Sequence, residues 1–133
     1  MTVKSLDHVN IQTRDVAGTA RFFTDLLGLA ARPPFAGVDP ATITWMWDGQ
    51  DRPIIHITLP GQTFADEAET PIGGSTGPLH HVAFECDGHA AMLARITAMG
   101  LPVRTRDIPQ IGLRQIFVAE PNGVLLELNY RGE

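Results

Sequence analysis

Four side chains carry the types and the spacing for metal or proton chemistry: His8, His56, His81 and Glu127. Neutral imidazoles and a carboxylate suit Fe(II), Mn(II), Ni(II) or Zn(II). Two His with one carboxylate leave positions open for substrate, water or dioxygen. His56 is then either a fourth protein ligand or a general acid–base beside the metal. A single His in a half-buried strand is ordinarily a structural hydrogen-bonding group. Four such residues at repeated positions outweigh that ordinary reading.

The repetition is visible in the chain. Leu6-Asp7-His8-Val9-Asn10-Ile11 and Leu79-His80-His81-Val82-Ala83-Phe84 each place His third, Val fourth and an apolar residue sixth, 73 residues apart. An acid follows each, Asp15 or Asp87, and opens an apolar-periodic run that stops at Gly28 or Gly100, 20 and 19 residues after the His. Superposing the closing runs of the two halves, Ile54 to Leu59 and Leu125 to Tyr130, sets His56 opposite Glu127. A long period present only twice indicates a duplicated module.

These residues need elements to hold them. Strand periodicity predicts residues 6–12, with His8, Asn10 and Gln12 on one face and Val9 and Ile11 on the other. A helix is expected over 15–27, capped by Asp15, burying Ala20, Phe23 and Leu27 and leaving at Gly28. A short edge strand over 29–35 is broken by Pro33-Pro34, and strands over 43–47 and 53–59 flank an Asp48-Gly49 turn. The second half repeats the order: strand 79–86, a helix from Asp87 or Gly88 to Met99 burying Met92, Leu93 and Ile96, then strands over 102–106, 113–119 and 124–130. The bends fall at Pro109 to Gly112 and at Asn122-Gly123. The expected class is α+β: two tandem β-α-β-β-β modules forming a curved mixed sheet around a metal cleft. The chain reads as one domain, with module 1 at about 5–60, a linker at about 61–78 in which Phe64 either pins the segment or helps cover a pocket, and module 2 at about 79–131.

Composition excludes several classes. The 133 residues carry a net charge of -5 with a pI near 5.4, which gives no electrostatic footprint for nucleic acid or anionic membrane. No apolar stretch reaches spanning length and no signal-type core opens the chain, so a cytoplasmic protein is expected. Cys86 is the one cysteine and reads as a small buried hydrophobe. Gly73 to Gly77 lacks the lysine and the strand–helix setting of a phosphate loop and is assigned to the linker. Arg104, Arg106 and Arg114 could meet an anionic substrate, against their ordinary reading as solvated arginines.

At this level of detail the chain resembles a small two-module member of the vicinal oxygen chelate superfamily. That superfamily includes glyoxalases, extradiol ring-cleaving dioxygenases, methylmalonyl-coenzyme A epimerases, fosfomycin-modifying enzymes and bleomycin-binding proteins. The matching pieces are Leu6-Asp7-His8-Val9, Phe22 to Leu29, His81-Val82-Ala83-Phe84 and Glu120 to Leu128. The resemblance implies a U-shaped metal cleft with His8, His81 and Glu127 at the commonest ligand positions. His56 stands where many isomerase members place a Glu or Gln ligand and near where ring-cleaving members place an acid–base His. Gln115 and Phe117 stand where ring-cleaving relatives present a His and a Tyr. A homodimer is also implied.

The expected function is a divalent-metal enzyme, Fe(II) first, with dioxygenase-like chemistry on a small oxygenated and possibly aromatic substrate. His56 moves the proton; Asn10, Trp45, Trp47, Gln115, Phe117 and Asn129 line the substrate or orient the ligands. The alternatives are a glyoxalase- or epimerase-like lyase or isomerase acting through a metal-stabilised enediolate, and a small-molecule binding or resistance protein.

Overall fold

The computed structural model describes residues 1–61 and 75–133. Most of the expected linker, including Phe64, lies outside the described residues. The chain forms two compact units, Met1–Ile72 and Gly73–Glu133.

In the first unit the order is β1 (Val9–Gln12), α1 (Val16–Leu27), β2 (Ala30–Arg32), β3 (Ile43–Trp47) and β4 (Pro53–Thr58). The second unit runs β5 (Val82–Glu85), α2 (His89–Ala98), β6 (Arg104–Ile108), a 3-10 turn at Pro109–Ile111, β7 (Leu113–Ala119) and β8 (Leu125–Arg131). The sheets are ordered β1-β4-β3-β2 and β5-β8-β7-β6. In each, the last strand is central, parallel to the first and antiparallel to the third.

This arrangement corrects the expected curved mixed sheet around a metal cleft. Two separate four-stranded mixed sheets stand in its place. Among the described residues, no group of three or more His, Cys, Asp or Glu is placed to hold a metal ion. The physical reason lies in the ladders. β4 and β8 each satisfy both edges within their own module, so the described pairing never passes from one module to the other.

Local chemistry explains the elements. The Asp15 carboxylate accepts the Gly18 N–H at 2.9 Å, and Val16, Thr19, Ala20, Phe23 and Leu26 bury one stripe of α1. Leu26 takes the core place expected of Leu27. Gly28 closes the helix at φ +69°, a conformation cheap only for glycine, and gives its N–H to the Thr24 carbonyl. α2 has no side-chain cap of its own at Gly88; instead the Glu133 carboxylate accepts the Gly88 and His89 N–H groups at 3.0 and 3.2 Å. His89, Met92 and Ile96 are buried, and the fully buried Tyr130 ring meets His89 edge-on at 5.1 Å. Burial raises both the Tyr130 hydroxyl and the neighbouring Cys86 thiol, which weighs against a reactive cysteine.

His8 and His81 lie just before their strands, one residue short of the first paired positions, Val9 and Val82. In the first module the cause is on the partner strand. Pro53 has no N–H, and the Ile54 N–H is spent on the Arg52 carbonyl at 3.0 Å, so β4 offers no ladder donor there. Ile54 is the extra residue of a β-bulge, since Met46 pairs Ile55 while Trp47 pairs Pro53. Among the described residues, no helix is long and apolar enough to cross a membrane.

The β3–β4 loop is organised by one carboxylate. Asp48 accepts the Gln50 and Arg52 N–H groups and the Arg52 guanidinium, all within 2.8 to 2.9 Å. Partial desolvation opposes ionisation of Asp48, but the Arg52 and Gln50 hydrogen bonds prevail and hold the carboxyl below its ordinary range. A depressed carboxylate contributes stability above its unfolded pKa and loses it as pH falls through the folded value. Asp48→Asn should therefore lower the urea stability by about 1 kcal/mol at pH 7 and by clearly less at pH 3. An equal loss at both pH values would show that the charge is irrelevant.

Candidate active site

In the first module the expected residues gather on the sheet face turned away from α1. His56 on β4 lies between two rings: His8 at 3.7 Å between centroids with 14° between planes, and Trp45 at 4.0 Å with 6°. The Asp7 carboxylate holds His8 Nδ1 at 2.6 Å. Trp47 lies 6.1 Å from Trp45, with the Arg32 guanidinium 4.3 Å above its ring. Asn10 accepts the Thr58 hydroxyl at 3.1 Å. Desolvation, then the charge of His8, pushes His56 down to about 4, against the opposing pull of Asp7 and the Pro53 carbonyl. His56 is thus a neutral imidazole at physiological pH, and its Nε2 is buried with no hydrogen-bond partner among the described residues.

The second module builds a different arrangement at the equivalent place. Glu127 on β8 has one oxygen, Oε1, clamped by two amides: Gln115 Nε2 at 2.8 Å and Asn129 Nδ2 at 2.9 Å. Gln115 also donates to Asn129 Oδ1 at 3.1 Å, so the two amides brace each other. The other oxygen, Oε2, faces His81 Nε2 at 3.2 Å. Glu127 keeps 13% of its side-chain exposure and His81 38%, so the pair is held yet reachable. His80 Nδ1 stands 2.9 Å from His81 Nδ1 and supports the far side of the ring. Phe117 pairs directly with Glu127 across the β7–β8 ladder.

Register shows that the two faces are one pattern used twice. Across the first sheet, Asn10, His56, Trp45 and Arg32 pair in a row. Across the second, the row is Ala83, Glu127, Phe117 and Arg104. Each row reads from an acid–base residue on the central strand, through an aromatic, to an arginine on the edge strand. The sequence repeat locates His56 opposite Glu127; it does not show the arginines, because β2 and β6 carry too little hydrophobic periodicity to fix their phase. Arg104 was named from the sequence as a possible anion contact, whereas Arg32, Asp7 and His80 escaped the sequence reading. The signal for Asp7 and His80 was positional, since each immediately precedes the repeated His and touches its Nδ1.

The divalent metal implied by family resemblance can be tested on this geometry. An imidazole lone pair lies in the ring plane. Two rings stacked nearly parallel at 3.7 Å direct theirs side by side, so no ion can sit about 2.1 Å from a nitrogen of both His8 and His56. The buried His56 Nε2 offers no approach either. His81 and Glu127 present two donors, short of the three that a resident ion requires, and no three-donor group exists among the described residues. The donors present do not fit the metal.

An open pocket of about 470 Å³ lies on the α1 side of the first sheet, lined by Ala20, Arg21, Ala31, Pro33, Pro40 and Thr44 among others. It is on the opposite side of the sheet from Trp45 and His56.

Residues 7–119 match the family described as the glyoxalase/bleomycin resistance protein/dioxygenase superfamily. Several solved structures share the fold. A protein from the mobile metagenome of V. Pseudocholerae superposes with a TM-score of 0.73 at 19% identity, covering 100% of this chain and 98% of its own. A lactoylglutathione lyase from Agrobacterium tumefaciens gives 0.70 at 19% identity, covering 98% and 96%. A fosfomycin resistance protein from Listeria monocytogenes gives 0.68 at 17%, covering 97% and 94%. No curated protein matches the sequence.

The stacked histidines set a pH dependence. A folded pKa of about 4, below the ordinary 6.5, means that the unfolded chain binds the proton first on acidification. Stability from His56 is therefore present above about pH 6.5 and is lost progressively as pH falls toward 4. An NMR titration of the imidazole should leave His56 neutral at pH 5.5, and His56→Gln should flatten the urea-midpoint profile between pH 4 and 6.5. A His56 midpoint near 6.5 would overturn the assignment.

Proposed function

From the premise that the chain belongs to the glyoxalase/bleomycin resistance protein/dioxygenase superfamily, the vicinal oxygen chelate proteins, we propose a lyase or isomerase that moves a proton at a carbon beside a carbonyl. The substrate class is a small oxygenated molecule, and the working pair is His81 with Glu127. One observation carries this reading: a carboxylate with one oxygen immobilised by two amides and the other aimed at an imidazole 3.2 Å away.

The chemistry follows from the donors. A substrate entering between the pair meets Glu127 Oε2 as base for its C–H proton and His81 Nε2–H as donor to the carbonyl oxygen. The C–H bond breaks, the electron pair moves to the carbonyl, and the oxygen receives the His81 proton. Glu127 then returns its proton to the former carbonyl carbon while the hydroxyl on the deprotonated carbon gives its proton to His81 and becomes the new carbonyl, which completes an isomerisation and restores both side chains. The Gln115 and Asn129 amides keep the carboxyl plane fixed, which spares the reaction the entropy of orienting its base. The Fe(II) oxygenase reading falls behind this one, because it needs a three-donor iron site and because Gln115 and Phe117 replace the polar pair expected of ring cleavers.

A second reading rests on the other module. In the Trp45–His56–His8 stack both faces of His56 are covered, so a planar compound held without turnover would lie on an outer face of an end ring, His8 or Trp45, with Trp47 beside the latter. Catalysis separates the two readings.

A suitable probe is the hemithioacetal of methylglyoxal and glutathione, chosen because a fold neighbour is a lactoylglutathione lyase. Glu127→Gln and His81→Gln should each lower kcat by about 10² to 10⁴-fold, with exchange of the substrate C–H into deuterated water lost in Glu127→Gln. Wild-type turnover that is absent without dioxygen, or full activity in Glu127→Gln, would sink the proposal.

A further inference from the structure

The edge strand β6 presents two arginines that the acid–base pair does not use. Arg104 pairs with Phe117, and Phe117 with Glu127; Arg106 pairs with Gln115, and Gln115 with Asn129. Cross-strand partners share a face, so both arginines stand on the face that carries Glu127 and its amide clamp. Arg114 pairs with Asp107 and Tyr130, on the opposite face, and makes an ion pair with Asp107 at 3.4 Å. Glu85, on the site face, is taken by Arg131 at 3.5 Å. Among the described residues, Arg104 and Arg106 pair with no carboxylate, and both are exposed.

The duplicated row supplies the control. Arg32 occupies the place of Arg104 in the first module, but its guanidinium is spent on Asp51 at 2.5 Å and on the Trp47 ring. A structural role for the edge arginine therefore looks like Arg32: paired and stacked. Arg104 keeps the position and lacks the partners, and a second arginine two residues on doubles the charge.

We propose that Arg104 and Arg106 form an anion-recognition site that selects substrates carrying a carboxylate or a phosphonate-like group. The proposal rests on the reading of His81 and Glu127 as the reacting pair. Two strand steps separate Arg104 from Glu127, about 10 Å between backbones, and the two arginines stand about 7 Å apart along the strand. Arginine side chains are long enough to extend from these positions over Phe117, and two guanidiniums set about 7 Å apart can close on one oxyanion. A molecule of a few carbons then spans from the anion to the carboxylate, with its reactive carbonyl at the far end. The substrate class narrows to small anionic carbon acids.

The test uses the full chain and two simple probes, acetate and methylphosphonate. The arginine Nε–H resonances of Arg104 and Arg106 should shift saturably with at least one of them; tighter acetate binding assigns a carboxylate, and tighter methylphosphonate binding a phosphonate or phosphate. Arg104→Gln/Arg106→Gln, at exposed positions that leave the core intact, should weaken that binding about tenfold or more. In kinetics, the preference for the methylglyoxal hemithioacetal of anionic 3-mercaptopropionate over that of uncharged 2-mercaptoethanol, as a ratio of kcat/KM, should fall by about tenfold in the same variant. Unchanged probe affinity in the double variant, or an unchanged ratio, overturns the anion site. Probe binding that depends on both arginines, together with full turnover in Glu127→Gln, leaves the anion site standing and rejects the acid–base assignment instead.

Discussion

The central position of each module's last strand is the constraint from which the rest follows. β4 and β8 are each hydrogen-bonded on both edges, parallel on one side and antiparallel on the other. A residue on such a strand cannot shift its register without breaking two ladders and reversing its face. His56 and Glu127 occupy that position. Their neighbours are consequently fixed as well: an aromatic on the antiparallel side and an arginine one strand further out.

Duplication has kept this frame while changing its chemistry. In the first module the central residue is an imidazole closed between two rings, deprived of water and held neutral. In the second it is a carboxylate whose polar surroundings are complete on one oxygen and open on the other. Stacking needs flat neighbours, supplied by Trp45 and His8; a clamped carboxylate needs amides at the next rung of the ladder, supplied by Gln115 and Asn129. The same register yields a packing site in one module and an acid–base site in the other.

Much of this was legible in the residues. Alternation located β3 to the residue, because its five consecutive positions obey the strand period, whereas β7 was bounded by the bends on either side and does not alternate at Gln115 and Ile116. The repeat set His56 against Glu127, strand parity put Asn129 on the face of Glu127, and the family resemblance pointed to Gln115 and Phe117. The strand ends near His8 were not legible, because the Ile54 N–H is diverted by a local turn that no periodicity reveals. The metal cleft was misread for a related reason. Residue types permit ligation, but whether lone pairs converge depends on ring orientation, and the His8–His56 stack is invisible in a one-dimensional string. The Glu133 cap on α2 was equally hidden, since donor and acceptor are 44 and 45 residues apart.

The bulge at Ile54 has a consequence for how such a module tolerates change. Trp47 pairs Pro53 while Met46 pairs Ile55, so one surplus residue is absorbed before the ladder settles and everything downstream keeps its phase. It acts as a slip joint between the β3–β4 loop and the paired part of β4. A residue gained or lost in the β3–β4 loop can be taken up at this point while His56 goes on facing Trp45. The architecture separates the part of the hairpin free to explore from the part that must stay in step.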